Sequence, residues 1–87
     1  MDQLTQLMII MMEECGELIQ ACSKALRSRS RLGLIPDKTL LELNKEMADV
    51  LCMKDLMYEY ELLDTELIRK GIESKREKLK TWSTLID

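Results

Sequence analysis

Two pairs of acidic residues have the clearest potential for chemistry in this sequence. Glu14 and Glu17 are three positions apart, and so are Glu46 and Asp49. On a helix, residues three apart project to the same side, so each pair would present two carboxylates together. If the two helices pack antiparallel, the four carboxylates can face each other across the interface.

Four grouped carboxylates repel one another, and an unpaired ion is costly to remove from water. A positive partner is therefore expected. Oxygen ligands without nitrogen or sulfur suit a hard cation, so we expect Mg²⁺, with Mn²⁺ as a substitute. Since Mg²⁺ in proteins usually binds substrate phosphates as well, the chemistry expected is attack by water on a phosphoryl group.

Glu14 has an unusual position for an acidic residue. With 100° between successive helical residues, it lies inside an apolar arc, between Ala21 on one side and Leu7 on the other. Glu17 lies at the edge of the arc, and Glu13 lies further out. Acidic pairs at this spacing are usually a solvated helix face, but a solvated face does not explain Glu14.

The second acidic pair also interrupts apolar surface. By the same count, Glu46 falls between two methionines, and Asp49 falls between Leu56 and Tyr60. Two such pairs on two neighbouring helices favour a binding site over chance exposure.

Three helices must position these residues. Apolar periodicity predicts them at about residues 3–27, 38–62 and 65–82. Residues 27–38 contain Ser, Gly, Pro and three arginines, which predicts a loop. Asp37 or Thr39 is expected to cap the second helix, and Asp64 or Thr65 the third.

The apolar residues of each helix predict what it packs against. The first helix has one broad apolar arc, expected to face the core: Leu4, Leu7, Met8, Met11, Cys15, Leu18, Ile19, Cys22, Ala25 and Leu26. The second is apolar around most of its circumference, which predicts neighbours on several sides, some of them from another subunit. The third has a single stripe, expected to pack as an outer helix: Leu67, Ile68, Ile72, Leu79 and Trp82.

These features predict an all-α fold, a helical hairpin followed by a third helix in a single domain spanning residues 1–87. A chain of 87 residues buries only a modest share of its surface by itself. We therefore expect copies to assemble through an oligomeric core of the four-helix-bundle type, as a homodimer or homotetramer.

Composition excludes several classes of protein. The net charge of −3 and the pI of about 5.0 do not indicate a nucleic-acid polymer as partner. No apolar run approaches the roughly 18 residues that cross a bilayer, and the N-terminus lacks the basic start of a secretory signal. A cytoplasmic protein without a membrane partner is expected.

The cysteines and the absence of histidine limit the metal chemistry. Cys15, Cys22 and Cys52 have no C-x-x-C spacing, and we expect free, buried thiols. With no His in the chain, a structural zinc site or the Glu-x-x-His ligands of a di-iron bundle are not expected.

The complete acidic pattern is Glu13-Glu14-x-x-Glu17 followed by Glu46-x-x-Asp49. It resembles the E-E-x-x-E and E-x-x-D motifs of the all-α NTP pyrophosphohydrolases, the MazG-like family. The segments "EECGELIQACSKALR" and "KEMADVLCMKDLM" are similar to family segments, especially those of short phage and mobile-element proteins. The resemblance covers residues 10–58 well and the remainder loosely.

The resemblance implies hydrolysis of a (d)NTP to the (d)NMP and pyrophosphate, with a role in the nucleotide pool. By position in the motifs, Glu14, Glu17, Glu46 and Asp49 would be the metal ligands. Glu13 would add negative charge or orient the attacking water as a catalytic residue.

Basic residues are expected to bind the substrate phosphates. Lys24 and Arg27 follow Glu17 on the same side of the first helix, within a segment similar to the family's. Lys75 and Lys78 match a late family segment with substrate contacts, although Leu79 stands where that segment has Asn. Lys24 and Arg27 are each alternatively a solvent-facing helix charge, and Lys75 alternatively packs its stem on the apolar stripe.

A second hypothesis belongs to another class. The chain would be a non-catalytic helical oligomer or interaction module, in which the acids form ion pairs with Lys24, Arg27 or Lys75.

Overall fold

The computed structural model describes residues 1–87 and consists of three α-helices without a strand. They are α1 (Gln3–Arg27), α2 (Asp37–Glu59) and α3 (Thr65–Trp82). The all-α prediction is confirmed, and the bounds of α1 and α3 agree with it. None of the helices is long and apolar enough to span a bilayer.

Side-chain caps define where α1 and α3 begin. The carboxylate of Asp2 accepts a hydrogen bond from the backbone N–H of Thr5 at 2.7 Å, which lowers the pKa of Asp2. Asp64 accepts the backbone N–H of Leu67 at 2.8 Å, as predicted. Each bond satisfies one of the free N–H groups of a first helical turn.

The predicted bounds and cap of α2 were partly wrong. Asp37 and Thr39 both lie within the helix, and the carbonyl of Pro36 accepts the N–H of Leu40 at 3.0 Å. The helix ends three residues earlier than predicted, at Glu59. The reason is a tight turn in which Glu61 adopts a left-handed φ of 58° and its N–H donates to the carbonyl of Tyr58 at 2.9 Å.

The chain divides into two compact units, Met1–Met57 and Tyr58–Asp87. In the first unit, α1 and α2 form an antiparallel hairpin. Lys24, near the end of α1, forms an ion pair with Glu42, near the start of α2. Glu14, earlier in α1, lies beside Asp49, later in α2. The helical hairpin is therefore confirmed.

The buried core is small. Its side chains come from α1 and α2: Leu7, Ala21, Ala25, Thr39 and Met53. No large side chain is completely buried. Leu7, Ala21 and Ala25 lie on the same side of α1 as Glu14, so the hairpin interface includes the anomalous glutamate, as the helical periodicity predicted.

The predicted core face of α1 was too broad. Leu7 and Ala25 are buried, and the arc's middle is half-buried, but Leu4, Ile19, Cys22 and Leu26 are exposed in the single chain. One partner helix covers a stripe narrower than the apolar arc. The thiols are free as predicted, but only Cys15 is even half-buried, so the predicted burial of the other two, Cys22 and Cys52, was wrong.

Apolar surface also remains uncovered on α2 and α3. On α2 these apolar residues are exposed in the single chain: Leu40, Leu41, Met47 and Leu51. The expectation that neighbours from another subunit help to enclose α2 stays a prediction. On α3 no residue is buried, and Leu67 and Trp82 are 70% and 82% exposed. The packing of the α3 stripe against other helices stays a prediction.

Candidate metal and phosphate site

Four carboxylates meet at the middle of the α1–α2 hairpin. Glu14, Glu17, Glu46 and Asp49 each offer one oxygen, and these four oxygens all lie within 4.8 Å of one another. Glu17 is exposed and the other three are half-buried. The three-residue spacing turns both acids of each helix to the same side, and the antiparallel packing makes the two sides face each other, as predicted.

Two oxygens in this carboxylate cluster lack any partner. Oε2 of Glu14 and Oε2 of Glu46 are closed to solvent and receive no hydrogen bond. No Lys or Arg forms an ion pair with any of the four acids. Buried polar atoms are nearly always satisfied in folded proteins, so these two oxygens indicate an unfilled requirement for positive charge or for protons.

The pKa values of two acids in the carboxylate cluster also indicate missing positive charge. The pKa of Glu14 is raised, first by burial and then by the negative charges of Glu17 and Asp49. The pKa of Glu46 is also raised, by burial and then by the adjacent Glu17 carboxylate, and Lys45 offsets this only in part. In the ionised state the acids only accept hydrogen bonds, so the cluster favours a proton or a cation.

The donor set fits a hard divalent cation. All four donors are carboxylate oxygens, the ligand type that such ions take. Two oxygens on opposite sides of one Mg²⁺ are about 4.2 Å apart, given bond lengths of about 2.1 Å. The observed limit of 4.8 Å is less than an ångström wider, so small side-chain rotations are sufficient.

Glu13 lies outside this arrangement. It is exposed and is not one of the four clustered carboxylates. Its predicted catalytic role stays a prediction.

A groove leads away from the carboxylate cluster along the hairpin. Its volume is about 660 Å³, within the range of small-molecule pockets. It is lined by Glu17, Gln20, Ala21, Lys24, Arg27, Glu42, Lys45 and Glu46. Because Glu17 and Glu46 belong to both the cluster and the groove, a ligand in the groove can contact a cation held by the carboxylates.

The other end of the groove is basic. Lys24 and Arg27, predicted from the sequence as phosphate ligands, both line it. Nζ of Lys24 lies 2.7 Å from Oε2 of Glu42, and both side chains remain about half exposed. This contact lowers the pKa of Glu42. Arg27 forms no ion pair and is free to bind an anion.

Sequence reasoning missed two of the groove residues, Glu42 and Lys45. A signal was present, because Glu42 is one helical turn before Glu46 and therefore lies on the same side of α2. Lys45 immediately precedes Glu46 and adds a third cation to the groove.

Lys75 and Lys78 belong to the second compact unit. Both are exposed on α3. A groove in that unit has a volume of about 470 Å³ and is lined by Glu73, Arg76, Glu77, Lys80, Ile86 and Asp87, without either predicted lysine. Their role as substrate ligands stays a prediction.

Comparison with known proteins adds no relative. No family model matches the chain, and neither does any curated protein or solved structure. The MazG-like resemblance therefore depends on the acidic motifs and their surrounding segments alone.

Proposed function

We propose that this protein is a Mg²⁺-dependent nucleoside triphosphate pyrophosphohydrolase of the MazG-like type. It would hydrolyse a standard or modified (d)NTP to the (d)NMP and pyrophosphate, in the nucleotide pool of the cytoplasm. The carboxylate cluster with its two unpartnered oxygens is the observation that most supports this function.

The proposed cation ligands are Glu14, Glu17, Glu46 and Asp49. When bound, Mg²⁺ would neutralise phosphate charge and lower the pKa of water, with Mn²⁺ able to substitute. Glu13 is the proposed base or orienting group for the attacking water. Glu13 is exposed and directly precedes Glu14 in the sequence, and its proposed role comes from the resemblance.

The groove supports a polyphosphate ligand. It is lined by two of the proposed cation ligands, Glu17 and Glu46, and by three basic residues, Lys24, Arg27 and Lys45. A Mg²⁺-bound triphosphate matches this distribution of charge, because the cation would meet carboxylates while phosphate oxygens meet ammonium and guanidinium groups. Lys75 and Lys78 remain proposed contacts on the strength of the resemblance alone.

A homo-oligomer with a four-helix-bundle core is part of the proposal. Met12, Ile19 and Leu26 recur every seven residues and so form one stripe along α1, and they are 65%, 70% and 62% exposed. Burying a side chain of this size contributes about 1.5–3 kcal/mol. A second hairpin packed on this stripe would remove its apolar surface from water.

The direct test is release of pyrophosphate by purified protein from a panel of standard and modified (d)NTPs, with and without Mg²⁺. The proposal expects Mg²⁺-dependent release from at least one nucleotide and a loss of at least about 100-fold in Glu46→Gln, since a catalytic metal contributes several kcal/mol. Glu59→Gln, an exposed acid at the end of α2, is the matched control. Folded protein that turns over none of the panel would contradict the proposal.

The alternative is a non-catalytic helical interaction module, which the extensive exposed apolar surface also suits. This hypothesis expects the acids to form ion pairs with Lys24, Arg27 or Lys75. None of the four clustered carboxylates forms such a pair, and Lys24 pairs with Glu42 instead. The alternative therefore lacks the explanation that it offered for the acids, and a metal-dependent stability test, argued in the Discussion, separates the two.

A further inference from the structure

The ion pair between Lys24 and Glu42 occupies the groove where a ligand phosphate would bind. Both residues line the groove, and the contact between Nζ and Oε2, at 2.7 Å, is a short charge-assisted hydrogen bond. Glu42 thus presents its carboxylate to Lys24 in the way that a phosphate oxygen would. A phosphate that binds Lys24 must share this ammonium group with Glu42 or displace it.

Glu42 differs from the four clustered acids in its surroundings. It is not a member of the carboxylate cluster, and the positive charges near it, Lys24 first and then Lys38 and Lys45, lower its pKa. Glu14 and Glu46, by contrast, have raised pKa values because of burial. Glu42 is therefore paired with a lysine ammonium, whereas no Lys or Arg pairs with the clustered acids.

We propose that Glu42 competes with the ligand phosphate for Lys24. It would hold Lys24 in the groove and release it when a polyphosphate binds beside Lys45 and Arg27. The identity of the ligand rests on the proposed function. Because a single carboxylate competes, a ligand with several phosphates can replace it while also contacting the two other cations. Once displaced, Glu42 remains near the phosphates and repels them, so its charge weakens binding.

The test compares Glu42→Gln with the wild type in two measurements. One is the KM for Mg²⁺-dependent pyrophosphate release, and the other is the calorimetric affinity for inorganic tripolyphosphate in Mg²⁺ buffer. In Glu42→Gln the proposal expects the KM and the Kd for tripolyphosphate each to fall about two- to fivefold, the range set by loss of an exposed ion pair. Lys45→Met should raise the KM and the Kd by about tenfold, since it removes a charge-assisted contact with phosphate.

A matched control separates the groove from net charge. Asp55→Asn removes one negative charge from α2 at an exposed ion pair with Lys54 that does not line the groove. It should leave both measurements unchanged. In a Lys24→Met background, Glu42→Gln should have less effect than in the wild type, because the two residues act through one contact.

The outcomes distinguish this inference from the proposed function. Turnover by the wild type with no change in Glu42→Gln would overturn the inference and leave the function intact. No turnover, but tripolyphosphate binding that tightens in Glu42→Gln, would overturn the function and support the inference. If Glu42→Gln loses the Mg²⁺-induced stabilisation, Glu42 is a cation ligand and its role as a competitor is overturned. Absence of tripolyphosphate binding by the wild type would also overturn the inference.

Discussion

Glu14 of α1 and Glu46 of α2 face each other across the hairpin with an Oε2 atom each that is closed to solvent and receives no hydrogen bond. Neither residue forms an ion pair. The pair therefore destabilises the cation-free hairpin when both carboxyls are ionised. A bound divalent cation or a proton would relieve this.

Mg²⁺ at millimolar concentration should raise the Tm of the protein. A ligand that binds only the folded state stabilises it by RT ln(1 + [L]/Kd), about 2.7 kcal/mol at 100 times Kd. Glu14→Gln should lose most of this gain because it removes a half-buried ligand. Thermal unfolding followed by circular dichroism, with and without Mg²⁺, measures both effects.

The control for this experiment is Glu13→Gln. It makes the same chemical change one residue away, at an exposed glutamate outside the carboxylate cluster. Its Mg²⁺-induced rise in Tm should equal that of the wild type. If Glu14→Gln keeps the full rise, the carboxylate cluster does not bind the cation and the interaction-module hypothesis is favoured.

The cation-free protein should lose stability from its carboxylate cluster as pH rises above about 4.5, the ordinary value for glutamate. Because the folded pKa values of Glu14 and Glu46 are raised, the folded state keeps protons that the unfolded state has released, so the free energy of unfolding falls with pH across this window. Asp2, Glu42 and Glu66 have lowered pKa values and give the opposite slope.

Subtracting the two profiles isolates the carboxylate cluster. Urea unfolding from pH 4 to 8, in the presence of a chelator, gives the free energy of unfolding of the wild type and of Glu14→Gln. As pH rises, this free energy should increase in the variant relative to the wild type. With Mg²⁺ the trend should reverse, since the ligands must lose their protons to bind. Parallel profiles for the two proteins under both conditions would contradict the assigned electrostatics.

Removal of the α3 cap should destabilise that helix. Asp64→Ala deletes the 2.8 Å hydrogen bond to the backbone N–H of Leu67, which typically costs about 1 kcal/mol. Asp64→Asn keeps an acceptor and should cost much less. Helical content and Tm by circular dichroism measure the difference, and equal losses in both variants would show that the charge of Asp64 matters more than its hydrogen bond.

The sequence predicted the fold and the meeting of the four acids because both depend on helical periodicity. Glu14 and Glu17 share one side of α1 whatever surrounds them, and a hairpin turns that side towards Glu46 and Asp49. The competitor Glu42 was missed because its significance comes from the distance to Lys24, on another helix. Pattern alone does not supply that distance.

The errors have physical causes as well. The early end of α2 follows from the left-handed backbone of Glu61, a conformation that propensity does not favour for glutamate. Burial was overestimated because the apolar arc of α1 is wider than the surface that one partner helix covers. A single hairpin covers only the part that includes Leu7, Ala21 and Ala25.

The exposed stripe on α1 provides the test of assembly. Ile19, at its centre, is 70% exposed in the single chain. If a second copy covers the stripe, Ile19→Glu places a charge in an apolar interface and should shift the protein from oligomer to monomer at micromolar concentration. Sedimentation equilibrium measures this directly.

Gln6→Glu is the matched control, because it introduces the same charge at an exposed polar position of α1 that lies on a different side of the helix from Ile19. It should leave the association unchanged if the stripe, and not the whole helix, is the interface. A wild type that is monomeric at all concentrations would contradict the oligomer and leave the apolar stripe open to another partner. Dissociation by both variants would place the interface on more of α1 than the stripe.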